Sequence, residues 1–306
     1  MPATRVDPTS QRREIRGLSL NYWEWPSDSL PAPVDLLFIH ATGFHARVWD
    51  PVIRRLPTSW RCLALDMRGH GLSDEAADGY DWEKLVADTA AAAEALDLKS
   101  ALGVGHSMGG FVIAGAAART QANFRFRGLV LADPTITDAQ DPRRRAVRLP
   151  LGDAAAPGNE RVSTDAGRRR PIWDSPRAMF DSYRTRGPFD TWETEALHAY
   201  CDFALVPHRG KGMRLACPPE VEAATFAANQ GSDPWPGLAR LGMPAVVMRG
   251  TSDHGRRSVT SPRVAKVIPH GVDVPVPASN HFIPMERPDL VADEIGRLAR
   301  SLGLPA

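Results

Sequence analysis

The pentapeptide Gly105-His106-Ser107-Met108-Gly109 sets a serine between two glycines, where an apolar run, Ala101 to Gly105, gives way to a segment dense in small residues, Met108 to Arg119. Read as strand then helix, this places Ser107 on a tight turn that projects its hydroxyl outward. The flanking glycines leave room for strained backbone and close packing. The helix that follows aims unpaired N–H groups at negative charge developing beside the serine. Such a hydroxyl becomes a nucleophile when a histidine takes its proton and a carboxylate orients that histidine. A short glycine pattern also arises by chance, so its weight depends on its surroundings.

Two upstream segments add weight. His40-Ala41-Thr42-Gly43-Phe44 closes the first clear buried strand, Val34 to His40, and Asp66-Met67-Arg68-Gly69-His70-Gly71-Leu72-Ser73-Asp74 follows the next, Arg61 to Asp66. With the elbow at Ser107, these segments resemble in type and order the α/β-hydrolase superfamily, in particular serine-nucleophile esterase- and lipase-like members with a helical lid. The resemblance implies an acid after a later strand and a histidine near the C-terminus. Arg249-Gly250-Thr251-Ser252-Asp253 and Ala278-Ser279-Asn280-His281-Phe282-Ile283-Pro284 each follow an apolar strand and fill those places. The expected triad is Ser107, Asp253 and His281, in the chain order Ser, Asp, His. Backbone N–H groups of Thr42 and Met108 are the expected oxyanion donors, although Ala41 stands where the family more often has glycine. Asp133, at the end of the strand Leu129 to Ala132, is the rival acid. Asp253 is preferred because Gly-Thr-Ser-Asp supplies a short turn, whereas Asp133-Pro134 reads as the entry to the lid.

Short β-branched strands alternate with segments of helical period, as in a mainly parallel sheet covered by helices. Asp81 to Leu96, Met108 to Arg119, Ser261 to Ile268 and Pro288 to Leu302 read as helices, and Ala245 to Arg249 and Val272 to Val276 as strands. The alternation lapses between 134 and 235, where Asp141 to Pro171 reads as a long loop and Pro176 to Val206 and Pro219 to Asn229 have helical patterns. The expected organisation is therefore an α/β-hydrolase core, residues 1–133 and 236–306, with a helical cap, 134–235, inserted after the sixth strand.

Hydrophobic residues at 43% and charged residues at 24% place the chain among ordinary globular proteins and argue against general disorder. A net charge of +1 provides no global field for nucleic acid or an anionic membrane, and the arginine runs at 143–145 and 168–170 read as solvated loop charge. Three cysteines without a CxxC argue against a disulfide scaffold, and no apolar run approaches the roughly 20 residues of a membrane span. A cytoplasmic protein, monomeric or homodimeric, is expected. No cofactor and no metal are expected, because the nine histidines lack ligand spacing. His281 alone has a catalytic context: His40 and His106 read as packing residues, His70 as part of a turn and His254 as loop.

Ala41, His106, Trp173 and Tyr183 are candidate substrate contacts. The aromatics of the insertion, Trp173, Phe180, Tyr183, Trp192, Tyr200, Phe203 and Phe226, line a pocket or form the insertion's own core. A serine at 107 excludes the epoxide hydrolase and haloalkane dehalogenase chemistry that relatives perform with aspartate. The favoured reading is cleavage of a small-molecule carboxylic ester through an acyl-enzyme. A carbon–carbon bond hydrolase, lactonase, amidase, perhydrolase or acyltransferase would share the triad, and a ligand-binding protein on a hydrolase scaffold would not need turnover.

Overall fold

The computed structural model describes residues 5–98, 100–119, 125–137, 164–210, 212–228, 233–253 and 257–305. Most of the loop expected from Asp141 to Pro171, and His254, lie outside these residues.

Eight strands form the central sheet: β1 Thr9–Ile15, β2 Leu18–Trp25, β3 Asp35–Ile39, β4 Arg61–Leu65, β5 Ser100–His106, β6 Arg125–Ala132, β10 Ala245–Gly250 and β11 Gly271–Val276. Their order is β1-β2-β4-β3-β5-β6-β10-β11, parallel from β4 to β11 and antiparallel at the β1–β2 edge. Because side chains alternate across a strand, Leu36 and Phe38 enter one core while Leu37 and Ile39 enter the other. Helices α1, Trp82–Ala95, and α2, Met108–Ala118, cover the second face. Asp81 starts α1 by accepting the Glu83 N–H at 3.0 Å. The C-terminal helix Pro288–Ser301 covers the first face through Val291, Ile295 and Leu298.

The β1–β2 hairpin was not anticipated. Six of the seven β1 residues are exposed, so the strand carries no apolar alternation and is held by its backbone ladder to β2. Between β6 and β10 lie the helices Pro176–Tyr183, Thr194–Phe203 and Pro219–Ala227. They are joined by strands too short for a periodicity signal, β7 Ile172–Trp173, β8 Leu205–Pro207 and β9 Met213–Leu215, which form a separate antiparallel sheet.

The carboxyl ends of β3, β5 and β6 meet at the elbow. A Cβ on Gly109 would lie 2.1 Å from the Ile39 carbonyl oxygen, and one on Gly105 2.3 Å from that of Gly109. Only glycine lets α2 approach β3 this closely. Gly109→Ala is therefore expected to destabilise the fold by about 3 kcal/mol in denaturant unfolding and to depress turnover. Gly242→Ala, where an added Cβ meets nothing within 4 Å, is the control expected to unfold like the wild type. Equal stability of the two variants would refute the packing argument.

Candidate active site

Ser107 has φ +56° and ψ −118°, a conformation that costs a non-glycine residue about 1–3 kcal/mol and that surrounding contacts must hold. Its N–H donates to the Ala132 carbonyl at 3.1 Å, and its own carbonyl accepts from Gly110 and Phe111 of α2. The strained turn is thus clamped between β6 and α2.

The loop after β11 brings His281 to this hydroxyl, with Nε2 3.0 Å from Ser107 Oγ. On the other side of the ring, Nδ1 lies 3.0 Å from Oδ1 of Asp133, not of Asp253. This corrects the expected acid. Asp133 follows β6 directly, takes φ +44° and is fully buried. Its Oδ2 accepts the Gly250 N–H at 3.0 Å, and its Oδ1 accepts from Val259 N at 3.2 Å and Thr260 Oγ1 at 3.1 Å. Burial alone would raise its pKa, but the contact with His281 and the surrounding donors outweigh it and hold the carboxyl below its ordinary value. Asp253 lies beyond the end of the neighbouring strand β10, with an 85% exposed side chain that faces Arg257 at 3.3 Å. The end of β10 delivers the Gly250 N–H to Asp133, and the turn after it carries Asp253 out to solvent.

The loop after β3 forms the facing wall. Gly43 donates its N–H to His70 Nε2 at 3.1 Å and Phe44 donates to the Ala41 carbonyl at 3.1 Å. Thr42 Oγ1 donates to Met108 Sδ at 3.2 Å, tying this loop to the elbow. Met108 opens α2, so its N–H has no intrahelical acceptor. Thr42 on the β3 loop and Met108 at the start of α2 thus stand side by side as candidate oxyanion donors, and buried Ala41 precedes Thr42 as part of the wall.

The segment 66–74 supports that wall. Asp66 accepts from Ala46 N at 2.7 Å, Leu72 N at 3.1 Å and Asn21 Nδ2 at 2.8 Å, while buried Arg68 is paired to buried Asp88 at 2.6 Å. His70, expected only as part of a turn, holds Gly43; burial, its largest influence, lowers its pKa to about 4 and keeps Nε2 an acceptor. His40 Nε2 accepts the Met67 N–H at 3.0 Å. His106 packs beneath the catalytic candidate, with Nε2 2.9 Å from the His281 carbonyl and ring centroids 5.2 Å apart. No group of three or more His, Cys, Asp or Glu among the described residues is arranged to hold a metal ion.

Phe44, Trp192, Tyr200 and Phe282 form the aromatic wall over the site, drawn from the β3 loop, the insertion and the histidine loop. Phe44 lies 5.6 Å from Trp192, 5.2 Å from Tyr200 and 6.1 Å from Phe282, between ring centroids. Tyr183 and Trp173 lie farther along the same network: Tyr183 stacks on Phe189 at 4.3 Å, and Trp173 packs edge-on to Tyr183 at 5.3 Å. Most of these rings are both the insertion's core and its contact with the sheet domain. Half-buried Arg169 pairs with buried Glu222 and donates to Tyr200 Oη at 2.6 Å, and Glu222 closes against Gly43. Thr135, which sequence reasoning missed, places Oγ1 3.0 Å from Ser107 Oγ.

A parallel sheet with a serine elbow, a histidine and a buried acid at its carboxyl end is the architecture of an α/β hydrolase. The chain belongs to the alpha/beta hydrolase family, whose profile matches residues 36–294. It is 30% identical over 242 residues to a non-heme chloroperoxidase of Streptomyces lividans, covering 78% of this chain and 79% of that protein. It is 25% identical over 287 residues to 2-(acetamidomethylene)succinate hydrolase of Mesorhizobium japonicum, covering 94% and 93% respectively. A crystal structure of E-2-(acetamidomethylene)succinate hydrolase superposes with a TM-score of 0.77 at 22% identity, over 96% of this chain and 99% of that one. The protein is accordingly an enzyme of the hydrolase class, and none of its described helices is long and apolar enough to cross a membrane.

Proposed function

We propose that this enzyme cleaves a carboxylic ester of a small molecule through an acyl-enzyme on Ser107, with His281 as general base and acid and Asp133 as the orienting carboxylate. The observation that carries this reading is the continuous relay of two 3.0 Å contacts from Asp133 through His281 to Ser107. Ser107 Oγ attacks the ester carbonyl as its proton passes to His281 Nε2, and Thr42 and Met108 N–H groups receive the tetrahedral oxyanion, worth about 3 kcal/mol per donor. The carbon–oxygen bond to the alcohol then breaks as His281 returns that proton to the leaving oxygen. Water gives a proton to His281 and attacks the acyl carbon. The bond to Ser107 Oγ breaks, and Ser107 recovers its proton as the acid departs.

The described residues within 134–235 act as a cap, and the ring cluster of Phe44, Trp192, Tyr200 and Phe282 favours a substrate with an apolar acyl or alcohol group. Full-length similarity to a protein named as a hydrolase supports hydrolysis as the reaction class.

The test is labelling by a fluorophosphonate, followed by p-nitrophenyl esters of increasing acyl length beside lactone, amide and vinylogous diketone substrates. The wild type should label while Ser107→Ala should not, and the esters should be turned over fastest. An unlabelled wild type at neutral pH would overturn the serine mechanism. Labelling with preference for another substrate class would retain the nucleophile and overturn the ester assignment.

A further inference from the structure

Among the described residues Ser107 Oγ has two side-chain partners, and the reaction just described uses one of them. The other is Thr135 Oγ1, at 3.0 Å. Thr135 follows Asp133 by two residues and is pinned to the elbow by its own N–H, which donates to the Ser107 carbonyl at 3.0 Å. In the resting enzyme the Ser107 hydroxyl donates to His281 Nε2, which leaves the Thr135 hydroxyl to donate to Ser107 Oγ. That bond fits the free serine and not the acyl-enzyme. Once Oγ is an ester oxygen it is a poor acceptor, and the Thr135 hydroxyl can turn so that its own oxygen accepts an O–H from a water.

Thr135 Oγ1 and His281 Nε2 each lie 3.0 Å from the same hydroxyl oxygen; with its bonds at a roughly tetrahedral angle the two stand about 5 Å apart, a span that one water with two ordinary hydrogen bonds can bridge. We propose that Thr135 is a catalytic residue of deacylation that positions the incoming water between its hydroxyl and His281. The water donates one O–H to His281 Nε2 and the other to Thr135 Oγ1, which leaves a lone pair for the acyl carbon. His281 takes the first proton as the new carbon–oxygen bond forms. The bond to Ser107 Oγ then breaks, and that proton passes from His281 to Ser107.

The inference rests on the acyl-enzyme reading above and assigns a residue to its second half. Its test is rapid mixing of wild type, Thr135→Val, Thr135→Ala and Thr135→Ser with p-nitrophenyl butyrate, with acid-quenched samples weighed as intact protein. Valine and alanine should leave the p-nitrophenol burst as fast as in the wild type or faster, slow the steady state about tenfold and accumulate butyrylated Ser107. Serine, which keeps the hydroxyl, should restore turnover to near the wild-type rate. Steady-state rates within about twofold of the wild type for valine and alanine would overturn the role, as would burst and steady state falling together without accumulated adduct. If the wild type neither turns over the ester nor labels with a fluorophosphonate, the acyl-enzyme reading itself falls.

Discussion

Ser107→Ala is expected to lower kcat/KM for an activated ester by roughly 10⁵- to 10⁶-fold while leaving the thermal unfolding midpoint almost unchanged. The alanine retains the backbone clamp to Ala132, Gly110 and Phe111 and removes only an oxygen whose partners are His281 and Thr135. His281→Ala should lose as much activity, because neither group completes proton transfer without the other. The double variant should therefore be no worse than either single one. The histidine variant differs in stability: it leaves buried Asp133 without its imidazole partner and opens space beneath Phe282 and beside His106. Steady-state hydrolysis of a p-nitrophenyl ester, with circular dichroism melts on the same preparations, separates the two effects. Activity within tenfold of the wild type in Ser107→Ala would remove the nucleophile from the mechanism.

What the chain discloses in one dimension follows from where its side chains go. Strands β3, β5 and β10 are buried on both faces, so they read as continuous apolar runs and lie within a residue or so of their expected bounds. Strand β1 is exposed and hydrogen-bonded through its backbone, a cause of order that leaves no mark in residue type. The elbow was legible because Gly105, Ser107 and Gly109 answer to local geometry and close packing at fixed spacing. The acid was not. Asp133 and Asp253 both follow apolar strands, and β6 and β10 are neighbours in register, Ala132 beside Met248. Chain order therefore admits both, and the short turn that favours Asp253 in the sequence is outweighed in the fold by the carboxylate on which the Gly250, Val259 and Thr260 donors converge. Thr135 gave no signal either, since a threonine after Asp-Pro reads as a turn residue until the elbow folds against it. The insertion's aromatics were visible as a group, but their division between core and pocket depends on the approach of Phe44 and Phe282 from distant loops.

Asp133→Asn is expected to reduce kcat by about 10⁴-fold, with a far smaller effect on KM, while Asp253→Asn retains wild-type kinetics. In the wild type the carboxylate accepts on both oxygens, and its partners among the described residues include the donors of His281, Gly250, Val259 and Thr260. An asparagine must turn its amide nitrogen toward one of these. Facing Gly250, the NH₂ opposes a backbone N–H and leaves a buried donor unpaired; facing His281, it forces Nδ1 to accept and puts the ring proton on Nε2, where Ser107 needs a base. The first orientation costs stability, about 1–3 kcal/mol, and the second abolishes general base catalysis, so activity and unfolding midpoint should both fall. Among the described residues Asp253 has an exposed contact with Arg257, of a kind worth about 0–1 kcal/mol, and its substitution should change neither. The opposite pattern, with turnover surviving in Asp133→Asn and lost in Asp253→Asn, would require the turn after β10 to swing its aspartate onto His281 during catalysis, displacing a carboxylate that these donors hold in place.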